Sequence, residues 1–167
     1  MNRPQQSISY LPGLDGLRAI AVLAVVVYHA NKDWLPGGFL GVEVFFVISG
    51  YLITLLLLNE SQQHGKIDFR AFWMRRARRL LPAMWTLLLG VTMYCALFER
   101  AELGKLRGDV IAAFIYVFNW FKIWSRASYF DASALDPLRH LWSLAVEEQF
   151  YLVWPVLIAV VLKEFGR

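Results

Sequence analysis

The chain has 167 residues, of which 58% are hydrophobic and 16% aromatic, and its 17 Lys and Arg against 13 Asp and Glu give a formal net charge of +4. Soluble domains run at about 45–50% apolar residues, so this excess excludes an ordinary water-soluble domain and points to lipid as the solvent. A basic balance would suit a nucleic-acid partner, but here the arginines border apolar runs, and anchoring at a membrane face is the simpler reading.

The expected fold class is all-α: a polytopic transmembrane helical bundle of about five spans, each of about 20 residues plus a connection. Cys95 is the single cysteine, which excludes an internal disulfide and a cysteine-rich metal site, and it reads as a small buried apolar residue. No metal site is expected. Residues 1–13 read as a polar, turn-rich cytoplasmic tail with no signal-peptide cleavage pattern. Pro12-Gly13 reads as a breaker pair and Asp15 as a cap for the helix that follows.

The membrane domain is expected over residues 14–162. Span 1, about 14–31, reads LDGLRAIAVLAVVVYHA, with one cation and one imidazole. Arg18 and His29 lie eleven positions apart, so on a helix they share a face to within about 20° and stand roughly 16 Å apart along the axis. Ionisable groups on a lipid-length helix are expensive unless they face protein or water. A lone histidine at a span end is also a common packing or snorkelling residue. Residues 31–38 read as a turn, with Trp34 placed where an interfacial aromatic sits.

Span 2 is expected over about 39–58. It contains Glu43, read either as a headgroup-level carboxylate or as a polar group facing the bundle interior. Gly41, Ser49 and Gly50 are small residues that let helices approach closely. Residues 59–80 form a basic polar loop in this reading, with Lys66, Arg70, Arg75, Arg76, Arg78 and Arg79, and the charge places it in the cytoplasm. Phe69, Phe72, Trp73 and Met74 alternate with these cations, which suits a helix lying in the interface. The arginines have two readings: anchoring against anionic lipid, or a phosphate site using paired guanidinium hydrogen bonds.

Span 3 is expected over about 81–98, with Pro82 in its first turn. Span 4 is expected over about 109–124, short or partly interfacial because it carries Asn119 and Lys122. A polar loop covers 125–139, and span 5 covers about 140–162. Glu147 and Glu148 interrupt its apolar run, and His140, Ser143 and Glu147 share a face. Pro155 breaks or kinks the span. His64 reads as a solvated side chain, and Tyr28, Tyr51 and Tyr151 as packing aromatics. Five crossings from a cytoplasmic start leave the tail 163–167 outside, although Lys163 and Arg167 favour the inside. The orientation of spans 4 and 5 therefore stays open.

Five strings occur in one order: LPGLDGLRAIAVLAVVVYHA, GGFLGVEVFFVISGYLIT, FWMRRARRLLPA, then Asn119-Trp120 with Tyr129-Phe130, and LRHLWSLAVEEQFYLVWP. In these the chain resembles the amino-terminal part of the acyltransferase family 3 membrane proteins, which O-acylate cell-surface carbohydrates. The resemblance implies a multi-pass protein of the bacterial inner membrane, its N-terminus and loop 59–80 cytoplasmic, belonging to a bundle of roughly ten spans. It implies transfer of an acyl group, most often acetyl, from acyl-CoA to a hydroxyl of a surface or exported glycan. This chain holds about half of that bundle, and the missing C-terminal half is an expected partner.

By position, Arg18 and His29 match the family's first-helix pair, Arg75, Arg76, Arg78 and Arg79 its cytoplasmic arginine motif, and Glu147 the glutamate of its SLxxE string; Glu148 matches less well. Acyl transfer needs a base, a positioned carbonyl and donors for the oxyanion. His29 is the expected base, with an acyl-histidine as a variant. Glu147 is expected to orient the ring or stabilise the imidazolium. Arg18 and the 75–79 cluster would hold the phosphates of coenzyme A. The competing reading is a non-catalytic fragment or a transport subunit of a glycan exporter, since intramembrane Arg, His and Glu also mark substrate pathways.

Overall fold

The computed structural model of the chain describes residues 11–125 and 136–165. Residues 1–10 of the expected tail, Tyr129-Phe130, most of the loop 125–139 and Arg167 lie outside the described residues. The described residues are helical and contain no strand: α1 is Pro12–Ala30, α2 Gly41–His64, α3 Phe69–Phe98, α4 Leu103–Phe114, α5 Phe118–Trp124 and α6 Leu141–Phe165. Among the described residues four helical stretches are long and apolar enough to cross a membrane: α1, Gly38–His64 (α2 with the short 3-10 turn before it), α3 and α6.

Local chemistry sets the helix ends. Pro12 opens α1 as its first residue, where a missing N–H costs nothing. Asp15 lies in the first turn of α1, and no side chain caps the helix. The Pro12-Gly13 pair therefore starts the helix where a breaker was expected, and Asp15 acts only through the helix dipole. The expected loop 59–80 is helical at both ends. The polar residues Asn59 to His64 finish α2, because its stop signal is Gly65 in the left-handed region at φ 69°, whose N–H donates to Ser61 O. Only glycine takes that conformation without steric cost. Asp68 caps α3 by accepting from the Ala71 N–H at 2.9 Å, so α3 starts at Phe69 and carries the arginines. Pro82 consequently lies inside α3 and not in its first turn.

The expected fourth span is two short helices. They part at residues 115–117, where Tyr116 adopts a positive φ of 55°, a conformation that costs energy for a bulky residue. Neither α4 nor α5 is long enough to cross a bilayer.

The chain divides into two compact units, 1–67 with 155–167, and 68–154. In the first, α1 packs on α2 through small residues. A Cβ added to Gly41 would stand 2.3 Å from Ala21 O, and one added to Gly38 2.4 Å from Ala24 O. The expected close approach at Gly41 is therefore made against backbone. Ala21, Tyr28, Ile48, Ile53 and Leu57 are buried, whereas Leu17, Ile20, Leu23 and Val26 of α1 are exposed. That is the pattern expected for a helix with lipid on one side. In the second unit the core is Met84, Leu88 and Cys95 of α3, Leu106, Ala112 and Ala113 of α4, Phe118 of α5, and Leu138, Leu141 and Ala145. Cys95 is a free, buried thiol, as expected.

Candidate active site

The sequence-predicted residues fall in both units. Arg18 and His29 belong to the first, on one continuous helix, which keeps their shared stripe and spacing. Arg18 is half-buried, with its guanidinium 4.8 Å from the centroid of Phe45 on α2. This cation–π contact holds the charge against protein, at a cost lower than exposure to hydrocarbon. His29 is exposed at the end of α1, and its Nδ1 lies 2.8 Å from Val25 O. A carbonyl oxygen can only accept, so Nδ1 carries the proton and donates. In the neutral ring Nε2 is then the basic nitrogen. Tyr28 braces the ring edge-on at 5.5 Å between centroids, and Tyr28 is itself buried against Phe39. Glu43 lies exposed in the first turn of α2. There a carboxylate complements the helix dipole, which favours the headgroup-level reading.

The second unit holds the arginine cluster and Glu147. The structure divides the four arginines. Arg75, Arg78 and Arg79 are exposed, whereas Arg76 is half-buried. The Arg76 guanidinium stands 5.7 Å from the Phe72 ring centroid and 5.4 Å from that of Tyr151, and it interacts electrostatically with Glu147 and Glu148. The Tyr151 hydroxyl donates to Glu147 Oε1. Glu148 Oε1 is buried and has no hydrogen-bond partner, so the two adjacent carboxylates differ: one is held, the other has an open acceptor. Ser143 does not join Glu147; its hydroxyl donates to His140 O at 2.9 Å.

Two polar networks escaped the sequence reading. Gln149 is bound on both ends of its amide. Its Nε2 donates to Tyr116 O at 2.8 Å and Asn119 Oδ1 at 2.9 Å, and its Oε1 accepts from Asn119 Nδ2 and Trp120 Nε1, both at 3.2 Å. This satisfied network fastens α5 and the positive-φ Tyr116 to α6. Lys122 bridges Asp109 at 3.0 Å and Asp136 at 2.9 Å. Burial pushes the Asp109 carboxyl above its ordinary value, and the Lys122 ammonium pulls the other way. The Asn119-Trp120 pair and the EEQFY string carried the signal for Gln149. Lys122 was visible only as a residue out of place in a presumed span, and Asp109 at the start of that span was not singled out.

A family model described as an acyltransferase domain matches residues 11–167. The chain is 51% identical over 158 residues to the peptidoglycan O-acetyltransferase OatA of Listeria monocytogenes, covering 94% of this chain and 25% of that protein. It is 51% identical over 156 residues to the O-acetyltransferase OatA of Staphylococcus aureus, covering 93% of this chain and 26% of that protein. The chain thus spans about a quarter of the length of these curated relatives. No solved structure matches it. Matched along almost its whole length, and with four membrane-length helices among its described residues, the chain belongs to the family of membrane acyltransferases that this domain defines.

Proposed function

We propose that the chain forms part of an integral membrane O-acyltransferase that moves an acyl group, acetyl in the first instance, from acyl-CoA to a hydroxyl of a cell-envelope carbohydrate. Nε2 of His29 takes the hydroxyl proton, and the alkoxide oxygen attacks the thioester carbonyl. Collapse of the tetrahedral intermediate breaks the C–S bond, and the proton leaves with the thiolate as free coenzyme A. Glu147 is the second residue assigned to the transfer step. Arg18 in the first unit, and Arg75, Arg78 and Arg79 in the second, are the residues assigned to the phosphates of the donor, while Arg76 serves the carboxylates. The observation that carries this reading is the commitment of His29 Nδ1 to Val25 O, which leaves one ring nitrogen free for proton transfer.

The acceptor is inferred from relatives: the Listeria protein is named for peptidoglycan, and a muramyl or similar glycan hydroxyl is the substrate class we infer here. The membrane is the bacterial inner membrane, with the arginines of α3 on the cytoplasmic side. With α4 and α5 too short to cross, four crossings return the chain to the side where it entered. Lys163 then shares the compartment of Arg75–Arg79, which removes the charge conflict of a five-span reading. The test is acetyl-CoA binding and acetyl transfer by the full-length protein in lipid nanodiscs. Donor binding with transfer to a peptidoglycan fragment supports the proposal; no donor binding at millimolar acetyl-CoA contradicts it.

A further inference from the structure

Tyr151 is fixed by three independent contacts. Pro155 stands four residues after it inside α6 and has no N–H, so the Tyr151 carbonyl lacks the donor every interior helical carbonyl expects. The indole Nε1 of Trp73, on α3, fills that vacancy by donating to Tyr151 O at 3.1 Å. The Tyr151 ring is buried and lies under the Arg76 guanidinium. Its hydroxyl donates to Glu147 one turn earlier on the same helix. A packing aromatic would need none of these polar contacts, and phenylalanine would fill the same volume.

We propose that Tyr151 is a positioning residue for Glu147, and that the Trp73 indole sets its register by donating to the Tyr151 carbonyl that Pro155 leaves open. The phenol holds the carboxylate in one rotamer and Arg76 holds the phenol. This rests on the reading of Glu147 as part of the acyl-transfer machinery.

The experiment is steady-state acetyl transfer by full-length protein in nanodiscs, with acetyl-CoA as donor and a peptidoglycan fragment as acceptor. The variants are Tyr151→Phe, Glu147→Gln, their combination, Trp73→Phe and Trp73→Phe with Pro155→Ala. Tyr151→Phe is expected to lower kcat about tenfold or more with KM for acetyl-CoA unchanged, and to add nothing to the loss in Glu147→Gln. That non-additivity is the signature of two groups acting as one unit. Trp73→Phe is expected to lower kcat, and Pro155→Ala to restore it by returning a backbone donor to Tyr151 O. Independent, additive losses from Tyr151→Phe and Glu147→Gln would overturn the proposal, as would wild-type turnover in Tyr151→Phe beside an inactive Glu147→Gln. Full activity of Glu147→Gln would instead overturn the underlying role of Glu147. Should Tyr151→Phe not accumulate, the Trp73 and Pro155 pair decides alone: no recovery in the double variant refutes the register claim.

Discussion

Gly41 of α2 lies so close to Ala21 of α1 that a Cβ at Gly41 would stand 2.3 Å from the Ala21 carbonyl oxygen and 2.9 Å from Val25 Cγ2. The first of these is backbone and cannot swing aside. Gly41→Ala is therefore expected to push the two helices apart and cost about 1–3 kcal/mol of stability, as overpacking does. A fall in the thermal midpoint of the detergent-solubilised protein checks it. Gly16→Ala is the control: nothing stands within 4 Å of a Cβ there, and no loss is expected.

Gln149 supports a polar network whose members would be left unpaired without it. Gln149→Ala removes the partners of Tyr116 O, Asn119 and Trp120 Nε1. Tyr116 and Asn119 are half-buried and Trp120 is exposed, so the loss is expected at or below the low end of the about 1–3 kcal/mol that an unpaired buried polar group costs. The variant is expected to show early hydrogen exchange at 114–124, measured by mass spectrometry, with exchange in α1 unchanged.

Lys122 neutralises two carboxylates at once. Lys122→Met takes the Lys122 ammonium away from Asp109, while Asp136 keeps Arg139 at 3.9 Å, and roughly 3 kcal/mol of stability is expected to be lost. Adding Asp109→Asn is expected to recover part of it, because one uncompensated charge is gone. Thermal midpoints of the single and double variants check this.

The arginines are expected to separate in a kinetic assay. Arg78→Ala and Arg79→Ala, at exposed positions, should raise KM for acetyl-CoA and leave kcat unchanged, with the effect shrinking at high salt. Arg76→Lys should lower kcat instead. An ammonium does not reproduce the planar contact of guanidinium with the Tyr151 and Phe72 rings.

Much of this arrangement was legible in the sequence, and the parts that were not have physical reasons. The apolar run holding Arg18 and His29 gave α1 within a residue or two, since a period of 3.6 and a lipid-length stretch admit little else. The run 59–80 misled in part: its polarity was taken for a loop, although the helix expected around Phe69, Phe72, Trp73 and Met74 is there as the start of α3. Helix propensity in Asn59 to His64 and in the arginine-rich stretch is good, and Gly65 and Asp68 were the actual stop and start signals. The fourth span, expected to be short or partly interfacial for its Asn119 and Lys122, is indeed short, but the break inside it was not legible. Tyr116 breaks it at a conformation no pattern of hydrophobicity reports. The pairing of Trp73 with Tyr151 joins residues 78 apart in sequence. Only the proline four residues after Tyr151 hinted that its carbonyl needed an outside donor.

If His29 is the base of acyl transfer, removing its ring must stop the chemistry and spare the binding of the donor. Acetyl-CoA binding and acetyl transfer to a glycan hydroxyl should be measured side by side for His29→Ala in the full-length protein. The account predicts unchanged donor affinity and a loss of transfer of about 10²–10⁴-fold, the range a positioned base contributes. Transfer by His29→Ala at close to the wild-type rate would contradict it.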